Sequence, residues 1–207
     1  METTIPLKTE QFRFNIVHLL ILIAIAISIF VLTNFLTVKQ VAKNTPDFSY
    51  EGIAEEIYDA GTISDAVEGL PLNAALIKKM SEEIERILAK STDFPGCEVY
   101  YLRVLEPGLY PILGYGDEVI GYVEFKVGDV WKVGFTAKGE QKRYPSNYYY
   151  KSNDRSILIN KNQLGYITMY EGAYKQMLIL EKLLIYTYSI WSGYPELIKP
   201  PGCKIFR

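Results

Sequence analysis

The chain has 207 residues, with 22 Lys and Arg against 24 Asp and Glu, a single histidine and two cysteines. Two cysteines are too few for a disulfide framework, and one histidine leaves no zinc ligand set and no Ser-His or Cys-His nucleophilic pair in a soluble domain. The net charge of −2 is unevenly spread: residues 1–96 hold 8 basic and 13 acidic side chains and residues 97–207 hold 14 and 11, so the second half permits a polyanionic ligand without demanding one.

After an N-terminal tail over residues 1–13, the stretch from Phe14 to Val38 contains 25 residues and no Asp, Glu, Lys or Arg. As a helix it is roughly 37 Å long at about 1.5 Å per residue, which spans a hydrocarbon core of about 30 Å with some tilt. Helix also satisfies every backbone polar group where no water can. A signal peptide has a shorter apolar run followed by a small-residue cleavage site, and Thr37 to Lys43 is a poor one. The sequence therefore predicts a single-pass anchor in a lipid bilayer. Lys8 and Arg13 flank one end and Lys39 and Lys43 the other, so the basic residues that set orientation are tied. Cys97 and Cys203 are free to pair only if the domain faces outward.

Residues 39–48 read as a polar linker, and residues 49–96 as a helical region. Ser49 to Ala60 has helical spacing, with Tyr50, Ile53, Ala54 and Ile57 on one face. Asn73 is a candidate N-cap for a helix running to about Lys90. Leu76, Ile77, Met80, Ile84, Ile87 and Leu88 form its apolar stripe, suited to packing on the following domain or to dimerisation. At Asp93-Phe-Pro-Gly96 the pattern turns extended. Glu98 to Leu105 reads as a strand, and Leu109 to Leu113 continues after a turn. Val119 to Phe125 and Val130 to Phe135 read as a hairpin closed by Lys126-Val-Gly-Asp129. Residues 136–155 are polar, basic and rich in tyrosine. Short strands are expected at Leu158-Ile159 and Gly165 to Tyr170, then a helix from about Gly172 to Ser189.

No phosphate-binding or dinucleotide-binding glycine pattern is present. The remaining constellation is Trp131-Lys-Val-Gly134 ending a strand, Arg143 nine residues later, Leu180-Glu-Lys-Leu-Leu-Ile185 in a helix, and a Pro-Pro-Gly-Cys-Lys tail at Pro200 to Lys204. Together these resemble the GIY-YIG (URI) nuclease superfamily over residues 97–207, and more closely the variants found in Bacteroidetes proteins and polymorphic toxins. The resemblance implies a small α/β domain, a central antiparallel sheet flanked by helices, behind the anchor and helical preface.

It also implies a membrane-anchored nuclease cutting DNA or RNA phosphodiesters with Mg²⁺ or another divalent cation. Arg143 would hold the phosphate, Glu181 would be the metal ligand, and Lys132 would stand at the second tyrosine position. A first-strand tyrosine would orient or deprotonate water; Tyr100 ranks first, beside Tyr101, Tyr110 and Tyr122. Lys142, Arg143, Tyr144, Lys151 and Arg155, interleaved with Tyr148, Tyr149 and Tyr150, form a candidate nucleic-acid surface or an ordinary tyrosine-rich loop. Lys132 and Cys203, the latter where the family variant has Asn, depart from the pattern. The alternative is a catalytically silent URI-like module that holds a protein partner, an immunity factor or an assembly at the membrane. Nucleic acid as substrate favours a cytoplasmic domain.

Overall fold

The computed structural model describes residues 49–153 and 155–204. Among them no helix is long and apolar enough to cross a membrane, and the expected anchor at 14–38 and linker at 39–48 lie outside the described residues. The described residues form one compact mixed α/β unit.

The helical preface follows from its caps. Helix α1 (Tyr50–Ala60) starts where the Ser49 hydroxyl accepts the Gly52 N–H at 3.1 Å. It ends at Gly61, whose φ of 65° suits a residue without a Cβ. A short α2 (Asp65–Glu68) precedes α3 (Ala74–Leu88), where Asn73 accepts the Leu76 N–H at 2.9 Å, as its spacing predicts. Helix α1 buries Ile53, Ala54 and Ile57, and α3 buries Met80, Ile84 and Ile87. Both pack on the long helix α5 (Tyr174–Tyr186), so the preface is part of the domain's own core.

The centre is a three-stranded antiparallel sheet in the order β4 (Val130–Thr136), β1 (Cys97–Val104), β7 (Leu164–Gly172). Its middle strand is sandwiched. One face carries Tyr101, stacked on Trp191 of α6 (Tyr188–Trp191), and Phe135, edge-on to Tyr174 of α5. The other carries Tyr100, Leu102 and Val104, covered by two small antiparallel ladders. These are β2 (Gly108–Leu113) with β3 (Val119–Phe125), and β5 (Tyr148–Lys151) with β6 (Leu158–Asn160).

One expected pairing fails. Strands β3 and β4 are not a hairpin: β3 pairs with β2, and β4 with β1. The turn between them does form, with the Lys126 N–H donating to Asp129 Oδ2 at 2.7 Å and the Asp129 N–H to the Lys126 carbonyl at 3.1 Å. Tyr194 then anchors Asp129 from outside, as its hydroxyl donates to the same carboxylate. The segment 136–155 is also more regular than its composition suggests, containing α4 (Gly139–Arg143) and β5.

Candidate active site

The site grows from the β1–β4 register. Tyr100 lies opposite Gly134 and Leu102 opposite Lys132, so Tyr100, Gly134 and Lys132 share a face. Gly134 is required by proximity: a Cβ there would stand 2.4 Å from the Tyr100 Cζ and hydroxyl oxygen. The phenol lies directly across the glycine, stacked on Tyr166 at 4.4 Å between centroids and edge-on to Tyr144 at 6.0 Å. The Tyr100 and Tyr144 hydroxyls share a hydrogen bond of 2.8 Å.

Two cations flank this pair. Lys132 Nζ is 5.7 Å from the Tyr144 ring centroid, and the Arg143 guanidinium carbon, at the end of α4, is 5.9 Å from it. Among the described residues neither forms an ion pair. Burial pushes the Tyr100 hydroxyl well above the ordinary phenol value, and Lys132 and Arg143 oppose that shift without reversing it. Tyr144 is raised as well, again chiefly by burial. At neutral pH both are therefore phenols, able to donate and accept but not to act as anions.

Strand β4 is an edge strand, so groups from α5 and from the C-terminal segment reach the same place. Glu181 and Lys182 come from α5, and Lys182 Nζ pairs with Glu181 Oε2 at 3.1 Å. The Pro-Pro-Gly tail runs along the free edge of β4. The Gly202 N–H donates to the Trp131 carbonyl at 2.7 Å, and the Cys203 thiol to the Val133 carbonyl at 3.2 Å. Gly202 is again imposed by contact, since a Cβ would stand 2.6 Å from the Trp131 ring. Lys199 fastens the tail, donating to the Leu113 carbonyl at 2.8 Å and to that of Cys203.

The result is an open cleft of about 480 Å³ with Tyr100, Lys132, Gly134, Arg143, Glu181, Lys182, Cys203 and Lys204 in its wall. Four cationic side chains face a single carboxylate, a balance that favours an anion. No cluster of three or more Cys, His, Asp or Glu exists among the described residues. One carboxylate oxygen donor fits a hard ion such as Mg²⁺, which keeps most of its waters, and does not fit zinc.

The structure thus brings together Tyr100, Lys132, Arg143 and Glu181 and leaves other candidates elsewhere. Tyr101 points to the helical face against Trp191. Tyr110 is buried in the β2–β3 layer, donating to the Glu106 and Gln163 carbonyls at 2.6 and 3.1 Å. Tyr122 is exposed on β3. The tyrosine-rich stretch is not a base-stacking surface as a whole: Tyr144, Tyr149 and Tyr150 are buried in the core, and only Tyr148 is partly open. Lys142, Lys151 and Arg155 are exposed and outside the cleft wall. Cys97 and Cys203 are both free thiols and buried.

Lys182, Lys204, Tyr115 and Tyr166 were not singled out by sequence. Lys182 and Lys204 sit next to Glu181 and Cys203 in the sequence, and that adjacency is the signal the sequence carries for them. Tyr166 and Tyr115 had none, because a cross-strand stack and a turn at a cleft rim depend on distant register. Comparison of the chain with protein-family models, curated proteins and solved structures finds no match.

Proposed function

We propose that the domain is a metal-dependent nuclease acting on DNA or RNA phosphodiesters, tethered to a membrane by residues 14–38 and facing the cytoplasm. The observation that supports this reading best is the meeting of Tyr100, Lys132, Arg143 and Glu181 in one cation-rich cleft, from four separate elements. A phosphodiester entering it meets the forked donors of Arg143 and the ammonium groups of Lys132, Lys182 and Lys204. These cations stabilise the negative charge that grows on the phosphoryl oxygens as water attacks phosphorus and the ester P–O bond breaks. Tyr100, held neutral by burial in the cleft wall and bonded to the Tyr144 hydroxyl, does not deprotonate the attacking water. Glu181 is the residue that would hold Mg²⁺, which when bound supplies further charge neutralisation and makes water easier to ionise.

The test uses the full-length chain in detergent, supercoiled plasmid and labelled RNA, with Mg²⁺ or with EDTA. Cleavage is expected with Mg²⁺ only, and Glu181→Gln and Arg143→Ala should each lower it by about 10²-fold or more. A wild-type chain that neither binds nor cuts nucleic acid under these conditions refutes the reading. The engagement of Glu181 by Lys182 favours one second reading, a silent module whose cleft only holds an anionic partner. Mg²⁺-independent binding without cleavage would select it.

A further inference from the structure

The turn that joins β2 to β3 reaches the cleft, and Tyr115 and Gly116 line its wall. Tyr115 is 77% exposed. Its ring therefore contributes little to packing, although every other tyrosine at the site is buried or half-buried. The backbone beneath it is braced. The Gly114 N–H donates to the Glu118 carbonyl at 2.7 Å, and Gly116 takes a φ of 72° that closes the turn tightly. The Leu113 N–H donates to the Pro201 carbonyl at 2.8 Å, which ties the hairpin to the same tail that seals β4.

Beyond Gly116 lies a second cavity of about 350 Å³, whose wall includes Glu118, Ser152, Asn153 and Ser156 and no Lys or Arg. Gly116 belongs to both walls. The turn that presents this exposed ring to the cation-lined cleft thus also borders, through Gly116, a pocket of mixed polar and apolar wall in which Glu118 is the one carboxylate among the described residues. That pairing matches the two halves of a nucleotide, a charged phosphate and a flat base with polar edges.

We propose that Tyr115 is a stacking platform for an unpaired base, so that the cleft takes single-stranded nucleic acid or an unpaired junction in preference to continuous duplex. This deepens the phosphodiester reading and rests on it. In a duplex both faces of each base are already covered by neighbours, whereas an unpaired base presents a face that any aromatic ring can cover. DNA and RNA share this chemistry.

The experiment is fluorescence anisotropy with the full-length chain in detergent and EDTA, so that nothing is cut. The probes are a short labelled single strand, as DNA and as RNA, and a blunt duplex of the same sequence. Tyr115→Ala should weaken single-strand binding by roughly 5- to 150-fold, the range expected for loss of one base–aromatic stack. Tyr115→Trp should retain it, and duplex binding should move with neither substitution. A loss confined to one single-strand arm assigns the platform to that polymer. Unchanged single-strand binding by Tyr115→Ala, with binding still weakened by Arg143→Ala, overturns the platform and leaves the nucleic-acid reading standing. If the wild-type chain binds no probe at all, the nuclease reading fails and the platform with it.

Discussion

Alanine at Gly134 would place a Cβ 2.4 Å from both Cζ and the hydroxyl oxygen of Tyr100, and 2.9 Å from Cε1. Ordinary contact begins about 1 Å further out, so the ring must move. It has nowhere to go: Tyr100 is fully buried, stacked on Tyr166 and edge-on to Tyr144. Overpacking of this kind costs about 1–3 kcal/mol. A displaced ring also forfeits the 2.8 Å bond to the Tyr144 hydroxyl, worth about 0.5–1.5 kcal/mol net. Together these give a loss of about 1.5–4.5 kcal/mol, or a fall in Tm of about 3–18 °C for a domain of this size. Strand propensity alone argues the other way, since Gly inside a strand is weaker than Ala by roughly 0.5–1 kcal/mol. Thermal melts of Gly134→Ala, Tyr100→Leu and the double variant measure the coupling between the two positions. A Gly134→Ala chain as stable as wild type, or one destabilised equally in the Tyr100→Leu background, would refute the close-approach argument.

Alkaline pH should unfold the domain early. Burial holds Tyr100, Tyr101 and Tyr188 well above the ordinary phenol value of 10.0, with Tyr186 pushed up to about 12. A pKa raised on folding gives stability that is complete below the unfolded value and lost as pH rises above it. Each such phenol should therefore steepen the loss above about pH 10 by roughly 1.4 kcal/mol per pH unit. Tm followed from pH 8 upward, with tyrosinate absorbance, checks this; a flat Tm past pH 10 contradicts it. The thiols give a second measurement. Burial raises both Cys97 and Cys203, and both are almost wholly covered. A thiol reagent at mildly alkaline pH should therefore label neither until denaturant is added. Rapid labelling of Cys203 in the native chain would place the tail away from β4.

Much of the fold follows from local pattern. Asn73 capping α3, the apolar faces of α1 and α3, and the presence of β1 and β7 are readable because each depends on residues within a turn or two, although β7 runs over Leu164–Gly172, three residues longer than its pattern suggests. The β3–β4 error shows where that stops. The turn at residues 126–129 forms from its own side chain and backbone, but it does not choose the partners of the strands it joins. Strand β3 alternates half-buried with exposed residues, whereas β4 is buried on both faces and belongs beside the central strand. Likewise, period two separates Tyr100 from Tyr101 without saying which face holds a cleft. The Tyr100–Gly134 pairing decides that, and it is a property of register between distant segments. The Tyr144, Tyr149 and Tyr150 cluster fails for a similar reason: composition cannot distinguish tyrosines that stack on a ligand from tyrosines that stack on one another. Tyr144 packs edge-on to Tyr149 at 4.9 Å, deep in the core.

The protonation states in the cleft narrow what chemistry it can perform. Two cations beside a phenol ordinarily favour its anion, and here Lys132 and Arg143 do pull Tyr100 that way. Desolvation wins because the ring is wedged over Gly134 and beneath Tyr166, the same contacts that fix its position. The geometry that places the hydroxyl therefore also keeps it neutral. The wall offers no imidazole, and the Cys203 thiol is held up by burial and engaged with the Val133 carbonyl. That leaves the carboxylate of Glu181 as the only anionic oxygen among the described wall residues, with one oxygen already paired to Lys182. Under the nuclease reading, Glu181 cannot hold a divalent cation and serve as an unencumbered base at once. On that reading Tyr100 is no base either, and the ionisation of water would be driven by positive charge near it. The cations that would supply it come from β4, the end of α4, the helix α5 and the tail, whose Gly202 N–H bonds the edge of β4.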